Sequence, residues 1–282
     1  MDARDCLGAK ADFEGKAQIL TTVIHPTAIV EEGASLGQDV SVGAFAYVGA
    51  EVTLGDGCRI HQRATVTGRT ELGANVEVFP GAVIGTAPQI LNFKDDGTSR
   101  LVIGASTVIR EHVTIHGGSP AHGGLTKVGE NCLFMVGVHI AHDCIVGDKC
   151  VFANNVALGG HIVVADQVWM GGLAAVHQFC RIGQHAFVGG GAIVVADVIP
   201  YGSVIGNHAH LAGLNIVGMK RRGFSRQSIH DLRAAYRMLF AKEGTFSERV
   251  KDAEETYGEC AELMQIIDFI RASKNRSLCL PE

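Results

Sequence analysis

An apolar residue stands at every sixth position over two long stretches of this chain. From Val128 the series runs Val128, Phe134, Ile140, Val146, Phe152, Leu158, Val164, Met170, Val176, Ile182, Val188 and Val194, without a break. An earlier series runs from Ile24 through Val30, Leu36, Val42, Val48, Leu54, Ile60, Val66, Leu72 and Val78 to Ile84. With 47% apolar residues, twelve consecutive hits arise by chance at roughly one in ten thousand. A period of six suits neither an amphipathic helix nor a half-buried strand. It predicts a hexapeptide β-helix, a solenoid whose core is one stacked column of side chains per face. Three hexads close one triangular coil, with coils about 4.8 Å apart as in any parallel sheet. Residues three hexads apart in sequence therefore become vertical neighbours.

The composition agrees: 36 Gly for tight corners and only 6% aromatics. A net charge of −5 provides no global field for nucleic acid or an anionic membrane. The 8 Cys include no CxxC pair, and several, such as Cys144, Cys150 and Cys180, fall at a small core position of the hexad. No segment reads as a signal peptide or a membrane span. The expectation is a cytoplasmic protein with reduced thiols, without nucleic-acid binding or membrane insertion.

Residues 1–22 lack the hexad pattern and read as an N-terminal extension. The β-helix is expected over 23–206, interrupted by two outward loops at 86–101 and 117–127, both rich in Gly, Pro and polar residues. Residues 207–282 read as a transition segment followed by a small α-helical C-terminal domain. Ser225 can cap one helix, Thr245 with Glu248 forms a possible capping box for a second, and the apolar residues from Leu263 to Ile270 suggest a third.

One stretch of the solenoid carries residues that a core does not need. On the coil ladder Asp143 lies under His161, and His142 lies under Gly160 and then Gln178. His139, His142, Asp143, Gly160, His161, His177 and Gln178 thus gather within three coils. Imidazole titrates near neutrality and can take a proton from a hydroxyl or amine attacking a carbonyl. Asp143 or a backbone carbonyl can fix its tautomer, and the Gly160 N–H can serve an oxyanion. A self-satisfied polar ladder and a zinc site are the competing readings. A second signal, Lys220-Arg221-Arg222, reads either as a solvated basic turn or as a diphosphate clamp.

The segments IHPTAIVEEGASLG, GGLTKVGENCLFMVGVHIAHDCIVG, NNVALGGHIVV, AAVHQFCRIG and GNHAHLAGLNIVGMKRRGFSR resemble the UDP-N-acetylglucosamine O-acyltransferase family over about 23–282. The resemblance implies a mainly β fold: a left-handed parallel β-helix with a helical C-terminal domain, assembled as a homotrimer with active sites between subunits. It implies transfer of a 3-hydroxyacyl chain from acyl carrier protein to a UDP-sugar, the first step of lipid A synthesis, with no cofactor and no metal. Carried over by position, His142 is the general base, Asp143 orients it, and Gly160 stabilises the oxyanion. His139 and His161 contact the sugar or its pyrophosphate. His177, Gln178, Asn215, Arg221 and Arg222 hold the nucleotide and its phosphates, and Gln89 binds substrate from the first loop. Gly190 and His208 line the acyl groove. The carrier is acidic, so a local basic surface must receive it.

The chain departs from the family pattern in the first loop. Relatives place an Asp and a Lys there, in QDLKY, where this chain reads Gln89-Ile90-Leu91-Asn92-Phe93-Lys94. Ile90 cannot make the hydrogen bond of an Asp, so an acceptor bearing a 3-amine, giving an amide, is an alternative substrate. Val217 is likewise apolar where some relatives have Glu. The remaining alternatives are a zinc-dependent γ-type carbonic anhydrase and a solenoid without chemistry.

Overall fold

The computed structural model describes residues 21–273 and 276–282, so the expectation for the N-terminal extension falls almost wholly outside the described residues. The chain winds into a three-sided parallel solenoid. Its first face is an 11-stranded sheet, its second a 9-stranded sheet and its third an 8-stranded sheet. Most strands are two residues long, and the register is that of the hexads. Leu133 pairs with Val151, Val151 with Trp169, and Trp169 with Phe187.

In each two-residue strand the first side chain points out and the second points in. The inner column of the first face stacks Phe134, Phe152, Met170 and Val188, all fully buried. Ile140, Leu158, Val176 and Val194 line the second face, and Val128, Val146, Val164 and Ile182 the third. A second set of small residues packs between these columns, and Cys132, Cys144, Cys150 and Cys180 belong to it as free, buried thiols. No single strand could persist at this length. The stacked columns and the parallel ladders hold it, as in any repeat protein.

The corners obey a backbone rule. One residue per corner adopts the left-handed conformation: Asp143 (φ 59°), Lys149 (φ 55°), Asn155 (φ 60°), His161 (φ 60°), Gln167 (φ 58°), Leu173 (φ 62°), Phe179 (φ 68°) and His185 (φ 59°). This conformation turns the chain sharply between faces and is tolerated best by Asn, Asp and His. Leu173 and Phe179 are unusual there, and both are exposed.

Two loops leave the solenoid, and both do so at the edge between the second and third faces. The first joins strand Val83–Thr86 to strand Arg100–Ile103; the second joins Thr114–His116 to Leu125–Val128. The longer strands at their bases make the loops shorter than the composition suggested, because residues 100–103 pair along their whole length with 69–72 and 125–128.

The first sheet does not stop at Gly206. Strand Gly202–Ile205 turns back into an antiparallel strand, His210–Leu214, which covers the end of the solenoid. Four helices follow: α1 (Ile216–Arg221), α2 (Arg226–Leu239), α3 (Phe246–Tyr257) and α4 (Ala261–Arg271). Ser225 caps α2 through the Ser228 N–H at 2.9 Å, and Thr245 with Glu248 forms a complete capping box on α3. Leu232, Ala235, Leu239, Ala253, Leu263, Ile266 and Ile267 make their shared core. The tail then returns to the solenoid, where the Cys279 N–H donates to the Asp197 carbonyl at 2.8 Å. No helix among the described residues is long and apolar enough to cross a membrane.

Candidate active site

The corner after strand His139–Ile140 brings His142 and Asp143 to the edge between the second and third faces. Their side chains meet: His142 Nδ1 lies 2.7 Å from Asp143 Oδ2. A carboxylate can only accept, so the proton of a neutral His142 sits on Nδ1 and Nε2 carries the free lone pair. The pair is sheltered, with the His142 side chain 16% and the Asp143 side chain 5% exposed.

One coil further on is Gly160. A methyl group built there would lie 2.6 Å from Cε1 and 2.8 Å from Nε2 of His142, so the ring rests against the glycine backbone. The Gly160 N–H donates to no protein acceptor among the described residues. Corner glycines 172 and 190 share that property, so it marks a free donor without by itself marking a site.

His161 is the centre of a ring stack. It lies parallel to Phe179 at 4.6 Å and edge-on to His142 at 5.0 Å and to His122 at 4.3 Å. Burial lowers its pKa, opposed by the Asp143 carboxylate. His139, on the preceding strand, is also lowered, chiefly by burial and then by His116 and His142. Both rings are therefore neutral at pH 7 and can donate or accept a hydrogen bond without a charge. The Cys144 thiol is pushed up to about 12 by burial, so the nearest sulfur is no nucleophile.

His177 and Gln178 sit one coil above His161 on the same edge, both exposed. Gln89 lies in the first loop, which leaves that edge, and is exposed as well. The two loops are tied together: the Gly117 N–H donates to the Thr86 carbonyl at 3.1 Å and the Arg100 N–H to the Gly124 carbonyl at 2.8 Å.

The remaining predicted residues lie elsewhere in a single chain. Gly190 is at the edge between the first and second faces, and His208 is in the turn that follows the last parallel strand of the first face. Asn215 and Arg222 lean on the edge between the third and first faces. Asn215 caps α1 through the Gly218 N–H at 3.0 Å and donates to the His185 carbonyl at 2.9 Å; Arg222 donates to the Gln167 carbonyl at 2.7 Å. With Arg221 they line a largely apolar pocket of about 830 Å³ that includes Trp169, Phe187, Ile216 and Val217. The His142–Asp143 pair and the basic cluster thus lie on different edges of one chain.

His116, Ser119, His122, Thr126 and Phe179 belong to the histidine edge and were not singled out in the sequence. The second loop inserts residues between coils, so Thr114 pairs with His139 and the eighteen-residue offset fails there. His122, Asp143 and His161 have potential ligand atoms within 4.8 Å of one another. Ligand atoms on a zinc ion with bonds of about 2.0–2.1 Å stand about 3.4 Å apart, which is tighter. Both Asp143 oxygens are also engaged by protein donors, so the cluster fits a hydrogen-bond network better than a ligand set.

A six-residue solenoid with a histidine-lined edge is the architecture of hexapeptide-repeat transferases. The family described as bacterial transferase hexapeptide (six repeats) matches residues 33–68 and 125–160, and that of Udp N-acetylglucosamine O-acyltransferase, domain 2, matches residues 197–279. An acyl-(acyl-carrier-protein)--UDP-N-acetylglucosamine O-acyltransferase of Caulobacter vibrioides is 54% identical over 92% of this chain and 98% of its own. That of Bartonella henselae is 48% identical over 93% and 95%. The structure of LpxA from Acinetobacter baumannii superposes with a TM-score of 0.87 at 38% identity, over 91% of this chain and 99% of that one. The chain belongs to the UDP-N-acetylglucosamine O-acyltransferase family, and its solenoid is that family's left-handed parallel β-helix.

Proposed function

We propose that the protein transfers a 3-hydroxyacyl chain from acyl carrier protein to the 3-hydroxyl of UDP-N-acetylglucosamine, with His142 as general base. The observation that carries this is the His142–Asp143 pair at 2.7 Å, with the ring pressed against Gly160. Asp143 holds the Nδ1–H, which leaves Nε2 to take the proton of the sugar hydroxyl as its oxygen attacks the thioester carbonyl. The tetrahedral oxyanion accepts the free N–H of Gly160. Collapse breaks the C–S bond, and the imidazolium returns its proton to the departing thiolate. No covalent acyl-enzyme is required: burial holds Cys144 as a thiol, and the buried Ser119 hydroxyl is engaged by Asp143.

Neutral His139 and His161 are suited to hydroxyls of the sugar or oxygens of the pyrophosphate, with Gln89, His177 and Gln178 beside them. Asn215, Arg221 and Arg222 are suited to the nucleotide, and Gly190 and His208 to the acyl chain. These groups occupy three different edges of one solenoid, so one chain cannot close them around one substrate. A threefold assembly, which sets an edge of one copy against a face of the next, meets that need and supports a homotrimer. The donor's carrier puts the reaction in the cytoplasm.

The test is turnover of acyl carrier thioesters with UDP-N-acetylglucosamine by wild-type protein and by His142→Ala. A fall of on the order of 10²–10⁴-fold with an unchanged fold is expected; wild-type rates in the variant would retire the mechanism. The first loop supports a second acceptor, since Ile90 has no polar group for a sugar hydroxyl. Side-by-side turnover of the 3-hydroxy and 3-amino nucleotide sugars decides between ester and amide formation.

A further inference from the structure

The second loop does more than leave the solenoid. It returns one buried residue, Ser119, to the carboxylate behind the base. The Ser119 N–H donates to Asp143 Oδ1 at 2.8 Å, and its hydroxyl donates to Asp143 Oδ2 at 2.6 Å. We infer that Ser119 is a positioning residue for acyl transfer, holding the Asp143 carboxylate at the rotation in which it accepts the Nδ1–H of His142. The inference rests on His142 being the base.

Three features make Ser119 the part that sets this geometry. First, its two donors grip both oxygens of one carboxylate, a fork that blocks rotation about the Cβ–Cγ bond. The other hydrogen bond that steadies Asp143, from its own N–H to Thr126 Oγ1 at 2.8 Å, holds the backbone and not the carboxylate. Second, the site is closed to solvent, with Ser119 3% exposed and the Asp143 side chain 5% exposed, so water is a poor substitute for a lost hydroxyl. Third, the loop has little freedom to place Ser119 elsewhere. A methyl group on Gly118 would lie 2.1 Å from the Leu125 nitrogen, and one on Gly124 would lie 2.4 Å from the Thr98 carbonyl. Pro120 opens the short 3₁₀ turn Pro120–His122 immediately after Ser119.

The network extends one group further. With its hydrogen directed at Asp143 Oδ2, the Ser119 oxygen can accept from His122 Nδ1 at 3.2 Å. A line of hydrogen bonds thus runs from the exposed His122 through Ser119 and Asp143 to His142. The titratable groups facing the His142–Asp143 pair are His122 from the loop, His161 from the next coil and His139 from the preceding strand.

The hydroxyl also tunes the base. Donors on a carboxylate draw negative charge away from the imidazole it faces. Removing the Ser119 hydroxyl leaves that charge less compensated, so the carboxylate supports positive charge on the ring it faces more strongly in the variant than in wild type. The acid limb of the kcat/KM profile should then move to higher pH. Loss of the fork should also let the carboxylate rotate, and misplacement of a catalytic group on an ångström scale costs up to about 100-fold in rate.

The experiment compares Ser119→Ala, Ser119→Thr, His142→Ala and wild type in kcat, in KM for both substrates and across pH. For Ser119→Ala we expect kcat lower by about 10- to 100-fold, KM values within about twofold, and an acid limb shifted upward. Ser119→Thr keeps both donors and should restore the rate and the profile. A wild-type kcat and profile in Ser119→Ala overturns the inference. So does a loss confined to KM, or a loss with an unmoved profile that Ser119→Thr does not rescue. Should Ser119→Ala fail to fold, Ser119→Cys, whose S–H is a weak donor, puts the same question with the same expected loss and shift. Activity surviving in His142→Ala would instead sink the general-base reading, so the two failures are told apart.

Discussion

The imidazole of His142 lies against the backbone of Gly160, so near that a Cβ at 160 would sit 2.6 Å from its Cε1. The ring cannot swing aside without breaking its 2.7 Å bond to Asp143. Gly160→Ala should therefore displace the His142 ring while leaving the solenoid intact, because the φ of Gly160 is not in the left-handed region and Ala can adopt it. A fall in kcat of about 10-fold or more is expected, with circular dichroism and Tm close to wild type. Full activity in this variant would mean that the ring has another productive position.

Replacing the carboxylate tests the tautomer. In Asp143→Asn the amide offers an oxygen on one side and an NH2 on the other, while Ser119 directs donors at both positions. With NH2 at the Oδ1 position it meets the Ser119 N–H, donor against donor; with NH2 at the Oδ2 position the Ser119 hydroxyl can turn to accept, but NH2 then faces His142 and would put the imidazole in the wrong tautomer. The rate should fall on the order of 10²–10⁴-fold, as when a triad loses its carboxylate. A fall below about tenfold would show that another group orients the His142 imidazole.

Much of this arrangement was legible in the chain because the period of six is also the map of the solenoid. Once the hexads were counted, His142, Gly160 and Gln178 became neighbours by arithmetic, as did Asp143 and His161. What arithmetic could not reach lay past the loops. Ser119 and His116 are separated from their partners by an insertion that breaks the eighteen-residue offset, and nothing local marks Ser119 as buried beside a carboxylate. The helical caps at Ser225 and Thr245 were readable because they depend on residues three apart. The antiparallel return at 210–214 was not, because a single reversal has no period. The repeat also does not bring Gly190, His208 or Arg221 to His142, since in one chain they occupy different edges.

His185 couples stability to pH. It is buried at a left-handed corner, stacked on Tyr201 at 5.2 Å and edge-on to Phe224. Burial first, and then the Arg222 charge, push its pKa down to about 4, with Asp166 opposing. A depressed histidine favours folding while it stays neutral in both states. As pH falls below about 6.5 the unfolded chain binds a proton that the folded chain refuses, so stability is lost down to about pH 4 and then levels off. The loss over that window is at most about 3 kcal/mol. Tm measured from pH 7.5 to 4 should fall less steeply in His185→Asn, which tolerates the corner conformation without titrating. Parallel curves for the two proteins would assign the acid sensitivity to another group.

Asp197 joins three parts of the molecule and should matter for stability far more than for turnover. Its fully buried carboxylate accepts the Arg181 Nε–H at 2.7 Å and the Arg181 backbone N–H at 2.8 Å, with Arg276 of the tail at 3.5 Å. Arg181 in turn lies over the Phe269 ring of α4 at 4.2 Å and donates to the Phe269 carbonyl at 3.1 Å. The end of the solenoid, the returning tail and the last helix therefore share one buried charge. Asp197→Ala leaves two guanidinium groups facing an empty site, a change that costs about 3–5 kcal/mol when a buried pair is broken. Tm should drop by about 5–10 °C or more, and hydrogen exchange should rise first in residues 276–282 and α4. Asp197 lies on the same edge as His142 and Asp143 but three coils further along, and none of its partners touches that pair, so kcat at 25 °C should stay within about twofold of wild type. An unchanged Tm would show that the tail is held by its backbone pairing alone.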